Sequence, residues 1–155
     1  AKQVANRILE PFQWMHTVVT ATEWDNFFAL RCHPDAQPEM QVLAFAMRGA
    51  MDASEPCPSE RHFPYVREED GVMSMWRRAM ISAARCARVS YLKHDGTAPS
   101  IGEDLALFER LAGGTPIHAS PLEHQGFAME HPRGRSRNFV GWWQFRELFE
   151  ERSMA

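Results

Sequence analysis

The sequence predicts an α+β fold, mostly helical with a small strand content, on three observations. Two S/T-x-x-E boxes, Thr20/Glu23 and Ser100/Glu103, stand directly before apolar stripes of 3.6-residue period. A third long apolar stripe runs from about Val72 to Tyr91. Only two short stretches, Met15 to Ala21 and GFAM after Glu123, have the β-branched or compact apolar character of strands.

Taken in chain order, AKQVANRILE reads as helix until Pro11 stops it, with Val4, Ile8 and Leu9 on its buried side. The chain opens at Ala1, inside an element and without an initiator Met, which predicts further sequence upstream. MHTVVTA is a strand or extended link. Helices follow over about Glu23–Cys32 and Ala36–Met51, the second with Asp35 as a cap, Pro38 in its first turn and Met40, Leu43, Ala44 and Met47 as its core stripe. Residues 52–71, with Pro56, Pro58, Pro64 and many charges, form a long connecting loop. The next helix buries Trp76, Met80, Ala84 and Ala87. Another carries Leu107, Phe108 and Leu111 and ends at Gly113-Gly114. Ser120-Pro-Leu-Glu123 starts a short turn into the GFAM strand. An arginine-rich loop at His131–Arg137 precedes a last helix from Asn138 to about Arg152.

Bulk properties narrow the function classes. At 155 residues and 45% apolar content the chain suits one globular domain, residues 1–155. Net charge of -3 and a pI near 6.2 argue against broad nucleic-acid binding. No apolar run reaches membrane length, and no signal peptide opens the chain. Cys32, Cys57 and Cys86 are spaced for neither a disulfide framework nor a zinc set, so a reduced, cytoplasmic setting is the default. No metal site is expected. His118 and His124 lie six apart, which does not suit a helical metal pair, and no third ligand is in view.

The most informative stretch is TATEWDNFFALRCHPDAQPEM, residues 20–40. Trp24, Phe27, Phe28 and Arg31 fall at i, i+3, i+4 and i+7, which sets Arg31 within the apolar stripe. A guanidinium stays charged and is costly to bury alone. Either a protein carboxylate or an anionic or carbonyl-rich ligand should meet it. Gln37 lies across a tight turn, so both side chains point toward one cleft.

The spacing Phe28-x-x-Arg31-x5-Gln37-x-Glu39, with Asn26 and Ala36 beside it, closely resembles the flavin-dependent thymidylate synthases, the ThyX family, whose pattern is N-F-x-x-L-R then A-Q-x-E-I. His118-Ala-Ser120-Pro-Leu-Glu123-His124 resembles the family's H-x-S/T-P-F-E-H. Ala87-Arg88-Val89-Ser90-Tyr91 matches its A-R-x-S/C-Y, and residues 103–111 have its D-x-x-L-x-x-x-L look. The matches span roughly residues 4–50 and 78–125. Their order is reversed relative to common cellular members, as in a circularly permuted, phage-type branch, with residues 52–71 as the join. The signature R-H-R-x3-S-x-N-E-x-S-x-R is missing from these residues. In a permuted chain it precedes Ala1, and the nearest echo is Phe139-Val140, Phe145 and Arg146.

The resemblance implies a small antiparallel sheet among helices, with dUMP and flavin helices in residues 4–51 and the H-x-S-P-x-E-H segment in residues 72–152. It implies methylation of dUMP to dTMP with FAD as cofactor and with NADPH and methylenetetrahydrofolate as co-substrates, in a homotetramer with sites between subunits. Arg31 takes the catalytic place of the arginine that holds the pyrimidine. Arg7 matches a second dUMP arginine. Asn26 and His118 would lie beside the flavin ring, and Ser120 and Glu123 at FAD. Thr20 and Thr22 depart from the Asn and Arg that hold FAD in many members.

Plainer duties stand beside each of these. Arg7 also reads as a helix-surface arginine, His118 as a loop histidine, Ser120 as a cap, and Glu123 as a capping-box carboxylate. Arg133, Arg135 and Arg137 either attract phosphates or form a solvated loop. Two other classes compete with the enzyme: a catalytically inactive flavin- or nucleotide-binding remnant, and a helical interaction module with Arg31 paired to Glu10 or Glu39.

Overall fold

A computed structural model describes residues 7–12, 14–89 and 97–154. In chain order the helices and strands are Asp25–Arg31 (α1), Pro38–Asp52 (α2), Arg61–His62 (β1), Met75–Ala87 (α3), Ile101–Ala112 (α4), Gly126–Ala128 (β2), Arg135–Ser136 (β3), Phe139–Val140 (β4), Trp142–Gln144 (β5) and Phe145–Met154 (α5). Short 3-10 turns lie at Glu10–Phe12, Glu68–Asp70 and Ser120–Glu123. The architecture is α+β, as the sequence predicts. No helix among the described residues is long and apolar enough to cross a membrane. The chain divides into two compact units, Ala1–Val19 with Pro64–Pro121, and Thr20–Phe63 with Leu122–Ala155.

The first unit is built on α3 and α4. Ser74 caps α3 by accepting from the Arg77 N–H at 3.4 Å. Its buried residues are small ones, Ala79, Ser82, Ala83 and Ala84, with Ile81 and Cys86, so α4 can approach closely and bury Phe108 and Ala112. Trp76, Met80 and Ala87, expected in the core, are half-buried. The Ser100/Glu103 box forms as its spacing requires: Ser100 Oγ accepts from Glu103 N at 3.3 Å, and the Glu103 carboxylate accepts from Ser100 N at 2.7 Å.

Arg85 organises the polar interior of this unit. Its guanidinium donates to both Asp70 oxygens at 2.7 Å, to Asp104 Oδ2 at 2.8 Å and to the Tyr65 carbonyl at 2.7 Å. Asp104 is fully buried, and Arg88 Nε lies 3.7 Å from its other oxygen. The Arg85 hydrogen bonds hold the Asp70 carboxyl below its ordinary pKa. Burial pushes Asp104 up, against the pull of Arg85.

The second unit joins the α1–α2 hairpin to the sheet, in which β2 is central and antiparallel to both β1 and β5. The β3–β4 ribbon completes it. Gly126 pairs with His62 on one side and Gln144 on the other. A Cβ there would stand 3.2 Å from the Trp142 ring and 3.5 Å from that of Phe139, so glycine lets both rings lie against the strand. Gln125 O accepts from Phe145 N at 3.0 Å, tying the start of α5 to the strand.

Several local expectations are corrected. Residues 15–21 are a link and not a strand, one of the two forms expected. The Thr20/Glu23 box does not form, because α1 starts later, with Trp24 at its N-cap and the Trp24 indole N–H closing the turn on Ala21 O at 3.1 Å. Asp35 lies beside His33, 3.5 Å from its ring, and Gln37 takes the N-cap of α2 without a side-chain bond. Of the α2 stripe only Ala44 is buried, with Leu43 53% exposed. Ile8 and Leu9 are exposed, and Val4 lies outside the described residues. The loop from 52 to 71 contributes β1 to the sheet, and Phe139–Val140 and Trp142–Gln144 are strands before α5 begins.

Arg85→Met should destabilise the protein by about 3–5 kcal/mol, because Asp104 would remain buried without its guanidinium. Urea unfolding checks this, and Arg85→Met/Asp104→Leu should recover much of the loss. In wild type, the Asp70 contribution is present above the carboxyl's unfolded pKa. It is lost as pH falls through the lower folded value, so the urea midpoint should drop in acid and drop less in Asp70→Asn.

Candidate functional site

Phe28 is the buried anchor of α1. It stacks with Trp24 at 5.9 Å between centroids, meets Phe27 edge-on at 5.3 Å, and takes the Arg48 guanidinium over its ring at 5.4 Å. The helix ends at Arg31, with Cys32 N donating to Phe28 O at 2.9 Å and Pro34 following. Arg31 is therefore at the open C-terminal turn, beyond the aromatic cluster, and it is exposed. A cation suits that end of the helix dipole. Among the described residues its guanidinium has no hydrogen bond or ion pair. The expectation of an arginine buried in the stripe is corrected, and no pairing to Glu39 exists; the Glu10 side chain lies outside the described residues.

Asn26 is exposed on the same helix, about 140° round from Arg31. Gln37 is exposed, while Gln41 reaches back to the His33 carbonyl at 2.7 Å and fixes the turn between the helices. Glu123, half-buried in the same unit, bonds Arg146 through its carboxylate and accepts from Gln144 Nε2 at 3.3 Å through its carbonyl. Its capping reading is therefore corrected: the partner is Arg146, not the Ser120 backbone. Arg146 also donates to Glu150 at 2.8 Å, and these two bonds, Glu150 first, raise its pKa. Arg137 pairs with Glu150 as well, and Arg135 lies 3.5 Å from Glu23, so both arginines of this ribbon have carboxylate partners.

Arg7, His118 and Ser120 belong to the first unit and all three are exposed. The His118 N–H donates to Leu111 O at 2.9 Å, which orders the chain after α4 and leaves the ring outward. Ser120 opens the 3-10 turn whose last residue is Glu123. Ser90 and Tyr91 lie outside the described residues. No bond among the described residues joins Asn26, Arg31 and Glu123 to one another. The cysteines are free, Cys32 half-buried, Cys57 exposed and Cys86 buried.

The second unit also holds an open cleft of about 530 Å3, bounded by Thr22, Ser59, Arg61, His62, Phe139 and Trp142 among others. No motif or periodicity marks it in the sequence. Arg61 and His62 come from the proline-rich connection, and a two-residue strand is too short to have a period. Thr20, also on the cleft's lining, has its Oγ1 3.3 Å from His124 Nδ1. Burial lowers the pKa of His124, and surrounding atoms that displace water lower that of His62.

Both histidines fold most readily uncharged. Their folded pKa lies below the ordinary histidine value, so the unfolded chain binds more protons in the window just beneath that value. Stability should be full above this window and fall as pH drops through it. The urea midpoint at pH 7.5 and pH 5.5, compared in wild type, His62→Gln and His124→Gln, checks this, with a smaller drop expected in each variant (pH values chosen about one unit either side of the ordinary histidine pKa).

No protein-family model, curated protein or solved structure matches this chain.

Proposed function

We propose that this chain is a flavin-dependent thymidylate synthase of the circularly permuted ThyX type, converting dUMP to dTMP with FAD, NADPH and methylenetetrahydrofolate. One observation carries the reading. Arg31, the residue that the motif resemblance assigns to the pyrimidine, is exposed and has no protein partner among the described residues. The plain alternative pairs Arg31 with Glu10 or Glu39; the Glu39 pair is not formed, and the Glu10 side chain lies outside the described residues.

The chemistry asked of Arg31 is simple. A guanidinium donating to the uracil O2 and N3 region favours the N3-deprotonated, enolate-like ring, which makes C5 nucleophilic without a cysteine thiolate. Such a donor supplies a few kcal/mol of barrier lowering, on the order of a hundredfold in rate. Arg7 is the second cation assigned to dUMP, and it too is exposed. The flavin assignments fit unevenly. Asn26, His118 and Ser120 are exposed, with side chains available to a ligand. Glu123 is occupied by Arg146, so it would serve by holding that arginine rather than as a bare carboxylate. The flavin, when bound and reduced by NADPH, supplies the hydride equivalent that completes the methyl group. A homotetramer with sites shared between subunits belongs to the same reading.

A second reading, an inactive flavin- or nucleotide-binding remnant of that family, is favoured by one observation. The Glu123 carboxylate, assigned by the resemblance to FAD, is taken up by Arg146.

The protein incubated with FAD and desalted should retain a visible flavin band that dUMP perturbs. Arg31→Ala should abolish the dUMP effect while leaving the urea midpoint within the roughly 0.5 kcal/mol expected of a surface substitution. Turnover of dUMP in the presence of NADPH and methylenetetrahydrofolate separates enzyme from remnant. A protein that takes up no flavin and shows no dUMP response sinks both readings.

A further inference from the structure

β1 stands at the edge of its sheet. β2 pairs with it on one side, and no strand among the described residues pairs with it on the other. The register sets which backbone groups face that free side. Arg61 opposes Phe127 and His62 opposes Gly126, while the Ala128 N–H donates to Glu60 O at 2.8 Å. In an antiparallel ladder the bonding direction alternates along a strand. Glu60 and His62 therefore bond toward β2, and the N–H and C=O of Arg61 turn outward. An outward pair of that kind is what an added strand needs. Here one side chain takes both groups: Ser59 Oγ donates to Arg61 O at 2.7 Å and accepts from Arg61 N at 3.2 Å. Pro58 and Pro64 bracket the segment and bring no N–H. Ser59, Glu60 and Arg61 are all exposed, so packed side chains do not close this edge.

We infer that Ser59 is a guard, its hydroxyl holding the free edge of the sheet closed against strand addition by a second copy of this chain. A hydroxyl suits the task because it is donor and acceptor at once, and so satisfies an N–H and a C=O on the same residue two positions along. The second copy is the partner because it carries the same edge. Two such edges related by a two-fold axis pair antiparallel, with each Arg61 opposite the other and Glu60 of each copy opposite His62 of its mate. Like charges facing across that axis oppose the pairing, so the Arg61 side chain reinforces what the Ser59 hydroxyl does. The inference draws on neither the motifs nor the ligands of the proposed synthase, and it stands or falls apart from that reading.

The test uses the whole chain, isotopically labelled, with amide hydrogen exchange followed by NMR. The Arg61 N–H should exchange about two- to tenfold faster in Ser59→Ala, the worth of one hydrogen bond, and close to the wild-type rate in Ser59→Thr, which keeps the hydroxyl. Sedimentation velocity over a concentration series then reads association beyond the state that wild type holds, at raised salt to screen the facing arginines. Ser59→Ala should add a concentration-dependent species of twice the wild-type mass. Ser59→Ala/Arg61→Thr, which also removes the opposing charge, should form more of it. Ser59→Ala/Arg61→Pro lacks the outward N–H that the second strand needs and should sediment as wild type does. The inference is overturned if Arg61 exchanges at the wild-type rate in Ser59→Ala, or if neither that variant nor Ser59→Ala/Arg61→Thr associates beyond wild type. Association that persists undiminished in the proline variant would place the contact elsewhere on the surface and overturn it as well.

Discussion

The double pairing of Gly126, with His62 on one edge and Gln144 on the other, is the constraint on which the second unit depends. Without it, the proline-rich connection after α2 would be held to the C-terminal strands only through the Arg61–Phe127 pair and the Ala128 N–H to Glu60 O bond at 2.8 Å. Packing adds to the hydrogen bonding. A Cβ at this position would stand 3.2 Å from the Trp142 indole, close enough to ask that ring to shift, and in ordinary contact with Phe139 at 3.5 Å. A three-residue strand is weak by itself. It persists here because Phe127 meets Phe63 at 5.2 Å and Phe145 at 6.4 Å on the faces it presents.

The described arginines include three groups with different energetics. Arg85 is held by two carboxylates and a carbonyl in a largely dry setting, where an unpaired partner would be expensive. Arg146 and Arg137 form a more open network with Glu123 and Glu150, of the kind that contributes about 1 kcal/mol or less per pair. Arg31 and Arg61 are committed to nothing among the described residues. In water such a side chain is stable as it stands, so the fold neither gains nor loses much by leaving it so.

How legible these features were depends on how local their causes are. The Ser100/Glu103 box and the end of α4 at Gly113 could be read because capping chemistry lies within four residues of the helix it serves. The short strand Gly126–Ala128 was likewise marked by its compact apolar run after a turn. The Thr20/Glu23 spacing misled for the same reason that the other box succeeded. A box is only an option, and here Trp24 closes an earlier turn, Thr20 turns to His124 and Glu23 to Arg135. Arg31 kept its helical face but not its burial, since α1 stops there and the aromatic cluster does not extend past Phe28. Arg61 and His62 were invisible, because pairing with residues some 65 positions away leaves no periodic trace in a two-residue strand.

Exposure alone does not make Arg31 a binding group; what matters is what a ligand would change around it. No wall within its own helix encloses the guanidinium, and the cation stands at a helix C-terminus that itself favours positive charge. A uracil held by that arginine, as the proposed reading has it, would need its remaining enclosure from other residues. Those residues would displace water, lower the local dielectric and strengthen the attraction. In that reading a site shared between subunits is therefore a physical requirement and not an ornament of the family.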